Sequence, residues 1–457
     1  MKIVFAAALA AGLSTALATT LAMAQTATTT APAATEAPAA NAQNRIDVIR
    51  PDAPELAAHG DLPIGVRTVE VTNPDQIDIL STTADGEPPR YDRALTLEVW
   101  YPAAVGTGNE GTYTTVLRDG ETETTLHGRG VRDAEPAAEG TYPLVIISHG
   151  FPGNRLLLSH LAENLATKGY VVASIDHRDS TYADQGAFGS TLVNRSLDQI
   201  FVLNEMERMN GEAGNFLEGK IDTANTGLIG YSMGGYGAVI TAGGGVTEAS
   251  VGFEWGAPAG TLAIHQAGSP ELAERTEERI KAVVAFAPWG RQMGFWDAAG
   301  LEGIETPIFY VAGSADDVSK YEEGVKMLYD ETVNAERYLL TFENANHNAA
   351  APMPAPIESW TVSEKLGYAP FDHYADPVWD TVRMNNIAQH FVTAFLGEKL
   401  KGEEEMGDYL DLVENASDGV TALDDEDKPT ADHTYWKGFA DRTAVGLSLM
   451  HAEPGAQ

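Results

Sequence analysis

Short apolar runs alternate with amphipathic stretches along most of the chain. Val66–Val71 and Leu95–Tyr101 read as strands, separated by a turn-rich stretch. Leu144–Ser148 is a buried-looking strand that ends at His149-Gly150. A helical pattern covers Leu156–Lys168 and stops at Gly169, and Tyr170–Ile175 follows as another apolar strand. From Arg195 to Asn210, Leu197, Ile200, Phe201, Leu203 and Met206 mark one face of a helix, with Gly211 beyond its end. Thr226–Gly230 predicts a strand and Met233 opens a helix rich in small residues. Ala282–Ala287, Pro307–Ala312 and Arg337–Phe342 predict further strands, with helical stretches near Tyr321–Tyr329 and over Trp379–Leu396. Strand–helix alternation on this scale implies an α/β fold, a mainly parallel central sheet flanked by helices on both faces. Working residues of such sheets gather in loops at the carboxyl ends of strands.

The termini follow other rules. Met1-Lys2, an apolar Ala/Leu-rich stretch and Ala22-Met23-Ala24 have the form of a secretory signal peptide, predicting export to the periplasm or medium with cleavage after residue 24. Residues 25–45 are built from Ala, Thr, Pro and Gln and read as a spacer, so a flexible linker is expected over 25–59. The expected organisation is then a main α/β domain at 60–400 and an acidic C-terminal extension at 401–457, whose Trp436–Leu449 segment is apolar enough to pack back on the domain. No further run of eighteen apolar residues exists, which predicts no stable membrane insertion. Cysteine is absent, so stability must come from the core. With 29 basic against 66 acidic residues the net charge is −37, which argues against nucleic acid and anionic membrane surfaces as partners. Asp411–Asp425 faintly resembles a calcium loop, but counting from Gly419 puts Ala416 at a ligand position. No His-x-His or His-x-x-x-His pair exists, so neither a zinc site nor any other metal or cofactor is expected.

The chemistry converges on Gly230-Tyr231-Ser232-Met233-Gly234-Gly235. In a nucleophile elbow a sharp strand-to-helix turn exposes one hydroxyl, and its crowded backbone demands small flanking residues. Here the motif closes an apolar strand and opens a small-residue helix, which is the context it needs. A serine hydroxyl also needs a base. His347 lies in a polar loop directly after the strand Arg337–Phe342, with His373 as its competitor. The carboxylate that orients the base is expected at Asp316, with Asp317 its neighbour, in the loop after Pro307–Ala312. Two N–H groups must face the developing oxyanion: Met233, after the nucleophile, and Phe151, in the loop Ser148–Gly153. Pro152 has no N–H to give.

Ser148–Gly153, His177-Arg178-Asp179-Ser180, the helix bearing Arg195 and Asp198, and the elbow at Ser232 resemble the platelet-activating-factor acetylhydrolase group of α/β-hydrolases, over roughly Leu95 to Leu396. That group takes its acid from the loop after the strand matching Ala282–Ala287, where this chain has Ala287-Pro288-Trp289. An acid at Asp316 instead resembles dienelactone hydrolases, which use a cysteine nucleophile, and cutinase-like polyesterases, which share the Ser-Met-Gly-Gly elbow and an aromatic residue at the oxyanion position. The resemblance implies an α/β-hydrolase fold and a serine carboxylic ester hydrolase acting on small-molecule, lipid or polymeric esters. Segments 243–280 and 349–383 are apparent inserts that could cap the site. Acyl transfer or peptide hydrolysis by the same residues, or a silent hydrolase-fold binding protein, are the alternatives; the sequence leaves the oligomeric state open.

Overall fold

The computed structural model describes residues 43–104, 111–186 and 188–456; the expected signal peptide, residues 1–24, and spacer residues 25–42 lie outside them. In chain order the strands are β1 Ile64–Ile77, β2 Arg90–Pro102, β3 Gly111–Val116, β4 Glu123–Gly128, β5 Val131–Arg132, β6 Tyr142–Ser148, β7 Val171–Asp176, β8 Ile221–Tyr231, β9 Ile280–Phe286, β10 Ile308–Gly313, β11 Arg337–Phe342 and β12 Leu447–Ala452. The helices are α1 Ser159–Thr167, α2 Phe188–Gly211, α3 Met233–Thr241 and four short ones, α4 Glu248–Val251, α5 Pro270–Ala273, α6 Ala298–Leu301 and α7 Met327–Glu331, followed by α8 Thr381–Lys401.

Ten strands form one sheet in the order β12-β11-β10-β9-β8-β6-β7-β2-β1-β5, while β3 and β4 pair separately. The six from β7 to β11 are mutually parallel, and β2, β1 and β12 add antiparallel edges. Side chains alternate across a strand, so each parallel strand feeds two cores. Val145, Ile147, Ile229, Val284 and Phe309 join α1 and α8 through Leu161, Leu165, Phe391 and Phe395. Leu144, Ile146, Leu228, Val283 and Tyr310 join α2 and α3 through Val202, Met206 and Val239. The near-continuous apolar runs of these strands follow from that two-sided burial. After β6 the chain steps out to β7, then returns past β6 to β8. That reversal opens a crevice beyond the strand ends, between the loops after β6 and β8.

Two boundaries differ from expectation. Order begins well before Gly60: Ile46 is buried and its N–H donates to His127 O at 2.9 Å. The Asn44 amide donates to Glu358 at 2.9 Å, and Lys168 Nζ donates to Leu56 O at 2.5 Å. Hydrogen bonds to residues distant in the chain, which composition does not reveal, tie this arm down. At the other end, residues 401–457 complete the main domain: β12 pairs with β11, and Trp436 and Phe439 join the core beside α8. The inserts also diverge. Residues 349–383 wall the cleft described below, whereas none of 243–280 lines it. The latter is held along the flank by Val246 N→His265 O at 2.8 Å and by His265 on Val193 O at 2.7 Å.

Candidate active site

Tyr231 ends β8 and Met233 opens α3, leaving Ser232 alone in the turn at φ 53° and ψ −112°. A serine reaches this sparsely populated conformation only when its surroundings impose it. The flanking glycines show why. A β-carbon at Gly234 would stand 1.9 Å from Ser148 O, and one at Gly230 would stand 2.3 Å from Gly234 O. The turn is pressed against the end of β6, and its hydroxyl faces outward.

Two loops reach over to meet it. His347, after β11, places Nε2 3.0 Å from Ser232 Oγ, and its Nδ1 lies 2.9 Å from Asp316 Oδ2. Asp316, after β10, uses its other oxygen to accept from the Val318 and Ser319 N–H groups, each at 2.8 Å. Burial acts to raise the carboxyl pKa, but His347 and these N–H donors outweigh it and hold it below the usual range. Among the described residues the ion pair of the imidazole is with Asp316 and not Asp317, whose N–H donates to Asn346 Oδ1 at 3.3 Å. His373 is not brought to Ser232: its Nε2 pairs with Tyr182 OH at 2.7 Å, and burial pushes its pKa down to about 3.

These groups open on a cleft of about 560 Å³, lined by Phe151, Tyr231, Ser232, His347, Phe371 and His373 among others. A cleft of this size suits a small organic ligand. Phe151 and Ser232 line this cleft together, and Met233 follows Ser232 in the chain. Met233 is the first residue of α3, so its N–H has no acceptor within the helix. Among the described residues no backbone carbonyl accepts from the Phe151 N–H, and the Phe151 ring packs edge-on to Phe188 at 5.4 Å.

Three supports escaped sequence reasoning. Tyr231 packs on the His347 ring at 5.3 Å and donates to Asn348 Oδ1 at 2.9 Å. Asp376, from the insert 349–383, accepts from Asn346 N at 2.6 Å and so steadies the histidine loop. Beneath the site lies a second, closed Ser–His–Asp chain. Ser148 Oγ is 2.8 Å from His177 Nε2, and His177 Nδ1 is 2.8 Å from Asp198 Oδ2, all sealed from solvent. Its neighbours Asp176 and Asp179 are paired with Arg155 at 2.6 Å and Arg93 at 3.2 Å. Among the described residues, Glu336, His451 and Glu453 bring their donor atoms together at the far sheet edge, but Lys399 Nζ already sits 2.6 Å from Glu336.

A family described as PET hydrolase-like matches residues 109–254, a span that holds the Phe151 loop and the Ser232 turn and stops short of Asp316 and His347. Cutinase 2 of Thermobifida cellulosilytica is 31% identical over 104 residues, 23% of this chain and 36% of that one. Cutinase est1 of Thermobifida alba is 29% identical over 215 residues, 47% of this chain and 56% of that one. The chain thus spans between about a third and just over half of these relatives. A ferulic acid esterase from Streptomyces cinnamoneus superposes with a TM-score of 0.48 at 19% identity, covering 77% of this chain and 94% of that one. The family match and the two cutinase matches fall on the cutinase side of the groups considered above. Over part of its length the chain is thus similar to PET hydrolase-like and cutinase sequences, and its mainly parallel sheet flanked by helices has the α/β-hydrolase fold.

Proposed function

We propose that this protein is a serine carboxylic ester hydrolase working through an acyl-enzyme. His347 Nε2 takes the Ser232 proton as Oγ attacks the ester carbonyl. Asp316 holds the imidazole with Nδ1 protonated and stabilises its charged form. The N–H groups of Phe151 and Met233 receive the oxyanion, an interaction commonly contributing several kcal/mol in the transition state. The tetrahedral intermediate collapses, His347 protonates the departing alcohol, and a water activated by the same imidazole releases the acid. No cofactor enters this scheme. The observation that carries the reading is the unbroken hydrogen-bonded line Ser232–His347–Asp316 at 3.0 and 2.9 Å, opening on a cleft. The relatives' names direct the first assays to cutin-like and terephthalate polyesters as well as small esters.

The expected site of action is outside the cytoplasm, on the strength of the N-terminal 24 residues. No helix among the described residues is long and apolar enough to cross a membrane. Replacing Ser232→Ala is expected to cut hydrolysis of a p-nitrophenyl ester by about 10⁴-fold or more without loss of folding. It should also abolish labelling by a fluorophosphonate. A mutant that retains near-normal turnover would exclude Ser232 as nucleophile, and a wild type that fails to label would identify a silent fold. Comparing water with added alcohols and amines as acyl acceptors, and esters with amides, separates hydrolysis from acyl transfer and peptide cleavage.

A further inference from the structure

Arg195, on α2 below the cleft, is fully buried, yet among the described residues no carboxylate lies within ion-pair distance of it. Asp198, one turn along the helix, is committed elsewhere: Arg93 grips it at 2.7 and 2.9 Å, and His177 at 2.8 Å. A buried cation without a counter-ion is costly. What Arg195 touches instead are backbone carbonyls. Nη1 donates to His149 O, and Nη2 donates to Gly150 O at 2.9 Å and to Ser180 Oγ at 2.8 Å. Gly237, on the helix that follows Ser232, leaves the room: a β-carbon there would stand 2.7 Å from Arg195 Cβ.

The carbonyl of Gly150 and the N–H of Phe151 belong to one peptide unit. That unit is planar, and in the trans form its C=O and N–H point in opposite directions. Fixing the oxygen on a guanidinium therefore fixes where the hydrogen aims. Two successive carbonyls, His149 and Gly150, are turned inward to the same fork, which turns the N–H of Phe151 outward. A charge-assisted bond to the oxygen also polarises the amide and strengthens its N–H as a donor.

We propose that Arg195 is a positioning residue of the oxyanion hole, holding the Gly150–Phe151 peptide, whose carbonyl also lies 2.6 Å from His149 Nδ1, so that the Phe151 N–H faces the carbonyl oxygen of a substrate bound at Ser232. This rests on the ester-hydrolase reading above. Arg195 contributes nothing to substrate contact, so its loss lowers kcat and leaves KM.

The test compares wild type, Arg195→Met, Arg195→Lys and Ser232→Ala as full chains on p-nitrophenyl butyrate, together with amide exchange over residues 149–153. Arg195→Met is expected to lower kcat by about 10- to 100-fold, somewhat less than removing an oxyanion donor outright. KM should stay within a factor of about two, and exchange over 149–153 should quicken. Arg195→Lys should fall between, because a single ammonium cannot span both carbonyls. If kcat is unchanged in Arg195→Met while only the melting temperature falls, Arg195 is a packing residue and the proposal is overturned. Should the Met variant fail to fold, wild-type kcat in Arg195→Lys has the same force. If wild type is no faster than Ser232→Ala, the ester-hydrolase reading fails separately. Amide exchange then decides: unchanged protection at 149–153 in Arg195→Met or Arg195→Lys overturns the positioning role, and faster exchange sustains it.

Discussion

Asp316 divides its two oxygens between two tasks, and the division makes a sharp prediction. Oδ1 is taken by the Val318 and Ser319 N–H groups, so Oδ2 alone faces His347. In Asp316→Asn the amide oxygen would stay with those backbone donors and the NH₂ would turn to Nδ1. That forces Nδ1 to accept, leaves the ring proton on Nε2, and deprives Ser232 of its base. The expected outcome is a kcat lower by roughly 10³- to 10⁴-fold with a nearly unchanged fold. Steady-state kinetics beside a thermal melt would check it, and activity above a tenth of wild type would show that Asp316 does not set the tautomer. The residue type and loop were readable in the chain, since an acid was expected just after an apolar strand. The choice between Asp316 and Asp317 was not, because it depends on which side chain the turn at Gly313–Val318 directs inward.

At the scale of elements, legibility followed burial. β6 through β11 are covered on both faces, so their runs of Val, Ile, Leu and Phe stand out against polar loops. The β3–β4 hairpin is hard to read because its short strands are rich in Thr, with only Tyr113 and Leu126 as large buried apolar groups among exposed positions. α2 starts at Phe188, seven residues before Arg195, and its N-terminal part buries the polar Ser190, Thr191 and Asn194 beside Leu192 and Val193, which blurs the helical spacing of apolar groups. β12 is six residues with an alternating pattern, too short to signal a strand beyond an acidic stretch. The C-terminal segment was nonetheless expected to pack back, and its anchor is Trp436, 1% exposed, edge-on to Phe391 at 5.7 Å and donating to Val413 O at 2.7 Å. Trp436→Ala should cost about 3–5 kcal/mol of unfolding free energy. Denaturant titration measures this directly. A loss below about 1 kcal/mol would mean the segment is an appendage after all.

For the molecule as a whole, the interior and the surface respond to acid in opposite senses. Its 66 carboxylates against 29 basic groups make the surface self-repelling, and protonation relieves that. Ordinary carboxylates titrate near pH 4, however, so the relief is small above pH 5. The interior acts earlier. His149, His160, His177, His265 and His390 are all buried, at 1% exposure or less. Desolvation, the largest cause in each, lowers their pKa values: to about 3 for His160, His177 and His390, to about 4 for His265, and well below the ordinary value for His149. The unfolded chain takes up these protons as pH drops through about 6.5, while the folded chain refuses them until far lower. Unfolded protein then binds more protons, so stability is present above pH 6.5 and is lost as pH falls. Each group whose pKa falls to about 3 or 4 contributes about 1.4 kcal/mol per pH unit below that point, and these four together reach roughly 6 kcal/mol by pH 5.5, with His149 acting in the same direction. That is comparable to the whole stability of an ordinary domain. The protein should therefore melt progressively earlier between pH 7 and 5 and recover on return to neutrality, with the steepest loss below pH 6. Melting temperatures recorded across that range decide between the two effects: a flat or rising profile toward pH 5 would mean that relief of surface repulsion outweighs the buried imidazoles.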